Sequence, residues 1–286
     1  MNDATTVHAL LAGGAPLVLP GVWDALSARL AEQAGFRAIF VSGYALSATR
    51  LARGDVGLVT QTEMLDAAAR VCAAVRVPVV VDADTGYGDA ANVERTVREL
   101  VRCGAAGCFL EDQVWPKRCG HLEGKQVIPE QDYLLKLGTA LAARGDARFH
   151  VTARTDARAP LGLEAAVARA QAYAAAGADA IFVEAPQSVD EMARVRAALP
   201  ASVTLVANMV ERGRTPLASD AALAAMGYRM VVRPLTGLLA ATRALRDAYA
   251  GLARAGDSAA DDARLLGFGE MNALLGVGHL SPDGAP

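Results

Sequence analysis

The sequence predicts an α/β chain folded as a (β/α)8 TIM barrel with a C-terminal helical extension, and three observations carry that expectation. First, eight short β-branched runs recur: LVLP (17–20), RAIFVSG (37–43), VPVVVDAD (77–84), GCFLED (107–112), FHVTAR (149–154), AIFVEA (entered from Ala180 and running to 185), TLVAN (204–208) and MVVRP (230–234). Second, Ala-rich stretches with room for a helix separate most of them, so the pattern reads βαβα throughout. Third, a weak repeat joins a helix end to a strand start: AGFRAIFVSG, CGAAGCFLED, AGADAIFVEA and MGYRMVVRP. Its glycines Gly35, Gly104, Gly177 and Gly227 suit the left-handed position past a helix end. Eight such units in about 230 residues match a closed barrel. A doubly wound open sheet is the alternative, but no GxGxxG follows the first run.

Composition bounds the partners. The 286 residues are 53% hydrophobic and 21% charged, enough for one large domain over 1–286, with a helical tail from about 240. A net charge of −3 without a basic run argues against nucleic acid. Cys72, Cys103, Cys108 and Cys119 lack CxxC spacing and read as free thiols of a cytoplasmic protein. Met1 to Gly14 does not read as a signal peptide, and no apolar run approaches the roughly 18 residues of a membrane span.

Taken in order, the strand ends are unusually polar. Asp24, after the first strand, reads equally as the N-cap of the first barrel helix and as a site residue. Strand two ends in Ser42-Gly43, and with Tyr44 it offers a hydroxyl and successive backbone N–H groups to an anion. Asp55 lies in the long loop that follows and reads as a metal or a turn residue. Strand three ends in Asp82-Ala83-Asp84, two carboxylates that face one side of an extended strand, and strand four ends in Glu111-Asp112. Strand five ends in Arg154-Thr155-Asp156, where Arg154 can fork onto a carboxylate. Glu184, Asn208 and Pro234 end strands six, seven and eight. One Asp past a strand is commonly only a turn or cap residue. Consecutive polar ends in a barrel converge on one mouth, where barrel enzymes place their catalytic groups.

Asp82, Asp84 and Glu111 form an all-oxygen set without His or Cys, which suits Mg2+ or Mn2+ rather than Zn2+. Pairing with Lys117 or Arg118 is the other way to relieve their repulsion. The widest gap in the alternation, 113–128, holds KRCGHLEGK. There Cys119 stands among Lys117, Arg118 and His121, cations that favour a thiolate, while Gly120 and Gly124 suit a mobile lid. His121 reads either as a substrate contact or as a residue that positions the loop. Cys72, Cys103 and Cys108 read as packing residues and His150 as structural; His8 and His279 carry no signal. Beyond the barrel, 236–255 reads as a helix, 255–259 as a break, 260–275 as a further helix, and GHLSPDGAP as a frayed end.

Together PGVWDALSA, VSGYALSA, VVVDADTGYG, FLEDQVWPKRCGHLEGK, ARTDAR, AGADAIFVEA and ANMVERGRTP resemble the isocitrate lyase/phosphoenolpyruvate mutase superfamily, over roughly 15–240. The resemblance implies a (β/α)8 barrel and a homotetramer, with the last barrel helix exchanged between subunits. It implies Mg2+ held by Asp84, with Asp82, Asp55 and Glu111 joining directly or through water. It implies a 2-oxo acid carboxylate on Ser42, Gly43, Tyr44 and Arg154, with Gly120, His121, Asn208 and Pro234 around the substrate. Cys119 becomes the acid/base residue of the C–C lyase branch, in a reacting set with Arg154 and Glu184. The length points to the short group: 2-methylisocitrate lyase, 2,3-dimethylmalate lyase, oxaloacetate hydrolase and carboxyphosphoenolpyruvate phosphonomutase. Leu239 stands where a methylisocitrate lyase has an Arg, and GFGEMNALL supplies no second one, which weakens the tricarboxylate reading. The expectation is a lyase that cleaves a 2-hydroxy dicarboxylate to a 2-oxo acid. Phosphonomutase, oxaloacetate hydrolase and a non-catalytic metabolite-binding barrel are its rivals.

Overall fold

In the computed structural model eight parallel strands close a barrel in chain order. They are β1 (Leu17–Val22), β2 (Ile39–Val41), β3 (Val79–Asp82), β4 (Gly107–Glu111), β5 (His150–Thr155), β6 (Ala180–Val183), β7 (Thr204–Asn208) and β8 (Met230–Arg233). β8 returns to β1 in the register Leu17–Met230 to Pro20–Arg233, so no open edge remains and the doubly wound alternative falls. The structure describes residues 6–145, 148–258 and 263–277. Each of the eight β-branched runs holds one strand. β2 is shorter than its run because Ser42 leaves the strand to cap a helix.

The strands alternate with a period of two, and the two faces join different cores. Val18, Ile39, Val41, Val79, Val81 and Leu110 pack outward beneath the helices. Leu17, Leu19, Phe40, Val80, Phe109, Phe182, Val206 and Val232 fill the barrel interior. The short helix α1 (Val7–Ala12) adds Val7 and Leu10 to that interior cluster.

The helices over the barrel show the 3.6-residue pattern that buries one stripe. α2 (Ala25–Gln33) begins with Asp24 as N-cap, its Oδ1 accepting from the Ser27 N–H at 2.7 Å, so the capping reading of Asp24 holds. α3 (Gly43–Leu51) starts directly at the mouth. α4 (Gln61–Ala74) buries Met64, Ala67, Ala68 and Val71 behind a Thr60/Glu63 capping box. α5 (Ala90–Arg102) buries Val93, Thr96, Val97 and Leu100, and α6 (Glu130–Ala143) buries Tyr133, Leu137 and Ala140. After the single turn of α7 (Arg158–Leu161), α8 (Leu163–Ala175) turns Arg169 and Tyr173 inward. α9 (Val189–Ala197) and α10 (Asp220–Ala225) complete the set, each capped by a serine. Gly35, Gly104, Gly177 and Gly227 all have φ between 85° and 94°, as the repeat requires. Cys108 is fully buried, Cys72 and Cys103 pack against the same core, and His150 is fully buried in β5.

The chain divides into two compact units, residues 1–238 and 239–286. The barrel is the first. α11 (Thr236–Ala255) runs into the second, where α12 covers Phe268–Leu275. The further helix therefore starts later than 260, because Gly267 is extended, with ψ 143°, and serves as its N-cap. Residues 260–262, His279 and the GHLSPDGAP end lie outside the described residues, as does the last residue of the 255–259 break. No described helix is long and apolar enough to cross a membrane.

Candidate active site

The period of two builds the site. One pleat beyond the apolar ring, each strand presents its next inward residue: Phe40 is followed by Ser42, Val80 by Asp82, Phe109 by Glu111, Thr152 by Arg154. On the far side Phe182 is followed by Glu184, Val206 by Asn208 and Val232 by Pro234. Ser42, Asp82, Arg154, Glu184, Asn208 and Pro234 line a cleft of about 470 Å³, whose floor is Phe40, Phe109 and Phe182. Tyr44, Asp55, Cys119, Gly120 and His121 close its sides. Gly43, Asp84 and Glu111 lie just behind the lining. A β-carbon on Gly43 would come within 2.9 Å of Asp82 Oδ2, so glycine lets the start of α3 approach that carboxylate.

The acidic cluster is not left to repel itself. Lys117, only 2% exposed, places Nζ 2.6 and 2.7 Å from the two oxygens of Asp55 and 2.7 Å from Asp84 Oδ1. Pairing with Lys117 is thus realised, while Arg118 is exposed. Asp82 and Asp84 do not share a face by strand parity as expected. β3 ends at Asp82, and Asp84 turns into the left-handed region at φ 48°. It is held there by its N–H donating to Asp82 Oδ1 at 3.2 Å and its carbonyl accepting from the Glu111 N–H at 2.8 Å. Burial pushes the Asp84 carboxyl up to about 7, against the pull of Lys117. It pushes Glu111 well above its usual range, with Arg154 opposing. Burial tends to lower Lys117, but Asp84 and Asp55 outweigh it and hold the ammonium charged.

Arg154 does not present a free fork. Nε donates to Asp156 Oδ2 at 2.9 Å and Nη2 to Asp156 Oδ1 at 3.1 Å. Glu111 Oε2 and Glu184 Oε2 each lie 3.2 Å from its other edges. The β4–β5 register, with Glu111 opposite Arg154, dictates the first of these contacts. Asp156 is itself clamped. Lys125 Nζ stands 3.0 Å from its Oδ1, and its N–H donates to Asp112 Oδ1 at 2.8 Å. Burial tends to raise Asp156, yet Arg154 and Lys125 bring it down to about 2. Asp112 points outward from β4 and also accepts from Thr155, Arg169 and Tyr173, which fixes the end of β5. Sequence reasoning missed Lys125 and the clamping role of Asp156. A second lysine eight residues after Lys117 was the available signal.

The loop carrying Cys119 is folded over the cleft. The Cys119 N–H donates to the Asp55 carbonyl at 2.9 Å, and Lys125 Nζ donates to the Gly120 carbonyl. Gly120 lies against Glu184 so closely that a β-carbon there would come within 2.3 Å of Oε2. Glycine is therefore required for contact at this position, in addition to any mobility. His121 faces Glu184, its Nε2 3.5 Å from Oε1, and burial lowers its pKa. The expected thiolate at Cys119 is corrected. Burial raises the thiol to about 11, while Lys117 is turned to Asp55 and Asp84 and Arg118 to solvent. The group waits as a protonated acid.

Four oxygen-bearing side chains meet a divalent cation's preferences, and one observation favours a fit. Neither oxygen of buried Glu111 accepts a hydrogen bond among the described residues. The same residues hold no group of three or more His, Cys, Asp or Glu spaced to enclose a metal. The fit therefore rests on the Glu111 oxygens that accept no hydrogen bond; Mg2+ in general keeps several waters and binds through one or two carboxylates plus substrate oxygens.

Comparison with known proteins agrees with the barrel fold. A family model described as phosphoenolpyruvate phosphomutase matches residues 7–253. The chain is 46% identical over 275 residues to the chloroplastic carboxyvinyl-carboxyphosphonate phosphorylmutase of Arabidopsis thaliana, covering 95% of this chain and 80% of that one. It is 41% identical over 277 residues to the 2,3-dimethylmalate lyase of Eubacterium barkeri, covering 97% and 95%. Among solved structures, oxaloacetate acetylhydrolase with 3,3-difluorooxalacetate superposes with a TM-score of 0.91 at 34% identity, covering 96% of this chain and 94% of that one. Phosphonopyruvate hydrolase with oxalate and Mg2+ gives 0.87 at 31% identity, covering 98% and 97%.

Proposed function

The chain belongs to the isocitrate lyase/phosphoenolpyruvate mutase superfamily of enzymes, and we propose that it is a Mg2+-dependent lyase that cleaves the C2–C3 bond of an alkylmalate-type 2-hydroxy dicarboxylate. The products are a 2-oxo acid such as pyruvate and a saturated carboxylate. The observation that carries the reading is Cys119, a half-buried protonated thiol on a loop folded over a cleft that pairs an anion-binding helix start with an apolar wall.

The residues divide the work. The N–H groups of Gly43 and Tyr44 with the Ser42 hydroxyl hold the 2-carboxylate at the start of α3. Asp82, Asp84, Asp55 and Glu111 would hold Mg2+, directly or through water, which supplies Lewis-acid polarisation of the 2-oxygen. As C2–C3 breaks, the 2-hydroxyl proton passes to the carboxylate cluster and the bond's electron pair stays on the leaving carbon, α to a carboxylate. Cys119 gives that carbon its proton, and the thiolate, disfavoured by burial, then recovers one. Net, one proton moves from oxygen to carbon. Arg154, braced by Asp156, places its cationic face toward the substrate beside Glu184. The closed loop excludes water that would otherwise quench the carbanion.

Phe40, Phe109, Phe182, Val210, Val232 and Leu235 line the same cleft, in which Arg154 is the one Arg or Lys among the described residues. That favours alkyl substituents over a third carboxylate. A cytoplasmic homotetramer with an exchanged tail helix accords with the exposure of Leu245, Tyr249, Leu252 and Phe268. The test is a Mg2+-supplemented screen of alkylmalates, methylisocitrate and oxaloacetate, coupled to 2-oxo acid detection. Release of pyruvate from an alkylmalate is expected; turnover of oxaloacetate alone would sink the proposal.

A further inference from the structure

The loop after β7 reaches across the mouth, and its contacts with the cysteine loop fall on His121 and Glu123. The Arg214 backbone N–H donates to His121 Nδ1 at 2.9 Å. Arg214 Nε donates to the His121 carbonyl at 3.1 Å, and Nη2 to Glu123 Oε1 at 3.0 Å. Gly213 packs on the ring edge, where a β-carbon would stand 2.6 Å from Nδ1 and 2.8 Å from Cε1. Across the ring, Nε2 faces Glu184 Oε1 at 3.5 Å, and Asn208 Nδ2 donates to both Glu184 oxygens at 3.4 and 3.3 Å.

A main-chain N–H can only donate, so the Nδ1 it reaches must be bare. A neutral imidazole carries one proton, which leaves it on Nε2, aimed at Glu184. Asn208 Nδ2 also stands 3.4 Å from Nε2; with the proton on Nε2 that pair is donor to donor, so the Asn208 amide donates to Glu184 instead. Burial keeps the ring neutral. We propose that Arg214 is a positioning residue: its main chain fixes His121 as the Nε2–H tautomer, and its side chain latches the 117–125 loop over the cleft. The two contacts of the latch are unequal. The Glu123 side chain is 87% exposed, so the Arg214–Glu123 pair adds little. The guanidinium bond to the His121 carbonyl is charge-assisted and carries the hold.

The latch matters to catalysis only if the lyase reading of Cys119 and His121 is right, but its test does not use turnover, so the two fail separately. Trypsin cleavage after the exposed Arg118 reads loop opening. Arg214→Ala should speed that cleavage by roughly tenfold, the loss of one charge-assisted hydrogen bond, with cleavage at the other sites the two proteins share and the thermal midpoint unchanged. Glu123→Ala should stay within about twofold of wild type. Histidine-selective 15N NMR of the wild-type protein, which has four histidines, reads the tautomer directly. His121 should show a protonated Nε2 and a bare Nδ1. Wild-type cleavage kinetics in Arg214→Ala, or a His121 spectrum with the proton on Nδ1 or on both nitrogens, overturns the proposal.

Discussion

The backbone N–H of Cys119 donates to the carbonyl of Asp55 at 2.9 Å, so the thiol-bearing loop is tied to the segment that offers a carboxylate to the acidic cluster. The tie is made by main chain, and substituting the thiol leaves it in place. Cys119→Ser should therefore fold and bind substrate as wild type does. Its chemical step should fall by roughly 10²- to 10⁴-fold, the worth of a positioned acid, because a hydroxyl is far less acidic than a thiol. Single-turnover kinetics on the substrate from the screen measures this. A phosphonomutase leaves no carbanion to protonate, so C–C cleavage at the wild-type rate, or an unaffected phosphoryl transfer, removes Cys119 from the acid role.

Gly120 gives a sharper geometric test. An alanine there would put its β-carbon 2.3 Å from Glu184 Oε2 and 2.4 Å from Cδ, distances no pair of atoms tolerates. Either the loop lifts or Glu184 leaves Arg154 and Asn208. Both outcomes displace groups at the reacting centre, and misplacement of about 1 Å costs on the order of 10²-fold in rate. Gly120→Ala should thus lose activity while its thermal midpoint moves little, since the collision lies at a loop over a cleft. A variant with wild-type kcat/KM would show that the loop stands elsewhere during turnover.

The polar ring of the barrel was legible because strand parity is strict. Once Phe40, Val80, Phe109 and Phe182 are inward, Ser42, Asp82, Glu111 and Glu184 must follow on the same face. Asp84 broke that rule: a left-handed turn, not an extended strand, brings it back to the cluster. The loop residues were less legible for a related reason. Lys117, Arg118, Cys119 and Lys125 are neighbours in sequence, yet Lys117 goes to Asp55 and Asp84, Lys125 to Asp156, and Arg118 to solvent. Irregular backbone has no period from which to read such divergence, so the cationic setting inferred for the thiol dissolved. Arg154 was found by its strand position, but its fork turned onto Asp156, two residues along, through local geometry that parity does not describe.

The metal prediction follows from Asp84 and Glu111, whose carboxyls burial pushes upward even with Lys117 and Arg154 beside them. EDTA should abolish turnover, and Mg2+ or Mn2+ should restore it. Mg2+ should also raise the thermal midpoint of the wild-type protein with rising concentration, as any ligand of the folded state does. Asp84→Asn should lose both responses. Full turnover by a sample shown to be metal-free would end the assignment.

The last prediction concerns His150, far from the chemistry on β5. Its ring is wholly buried, Nε2 has no hydrogen-bond partner among the described residues, and Nδ1 meets Thr152 Oγ1 at 3.3 Å. Burial lowers its pKa to about 4; Asp179 opposes that fall, while His8 and Arg144 reinforce it. The unfolded chain binds a proton at this histidine below about pH 6.5, whereas the folded chain does so only below about 4. Between those values the unfolded state holds more protons, so stability is full above about 6.5 and is lost as the pH falls toward 4. A depression of that size is worth about 3 kcal/mol. Carboxylates titrate over part of the same range, so the measurement is a difference. Urea unfolding of wild type and His150→Gln, each followed from pH 7.5 to 4.5, isolates the histidine. The variant should be less stable at neutral pH, having lost a packed ring, but its stability should fall less steeply with acid. Equal slopes for the two proteins would mean that His150 binds its proton over the same pH range in the folded and unfolded chains, with Asp179 cancelling the effect of burial.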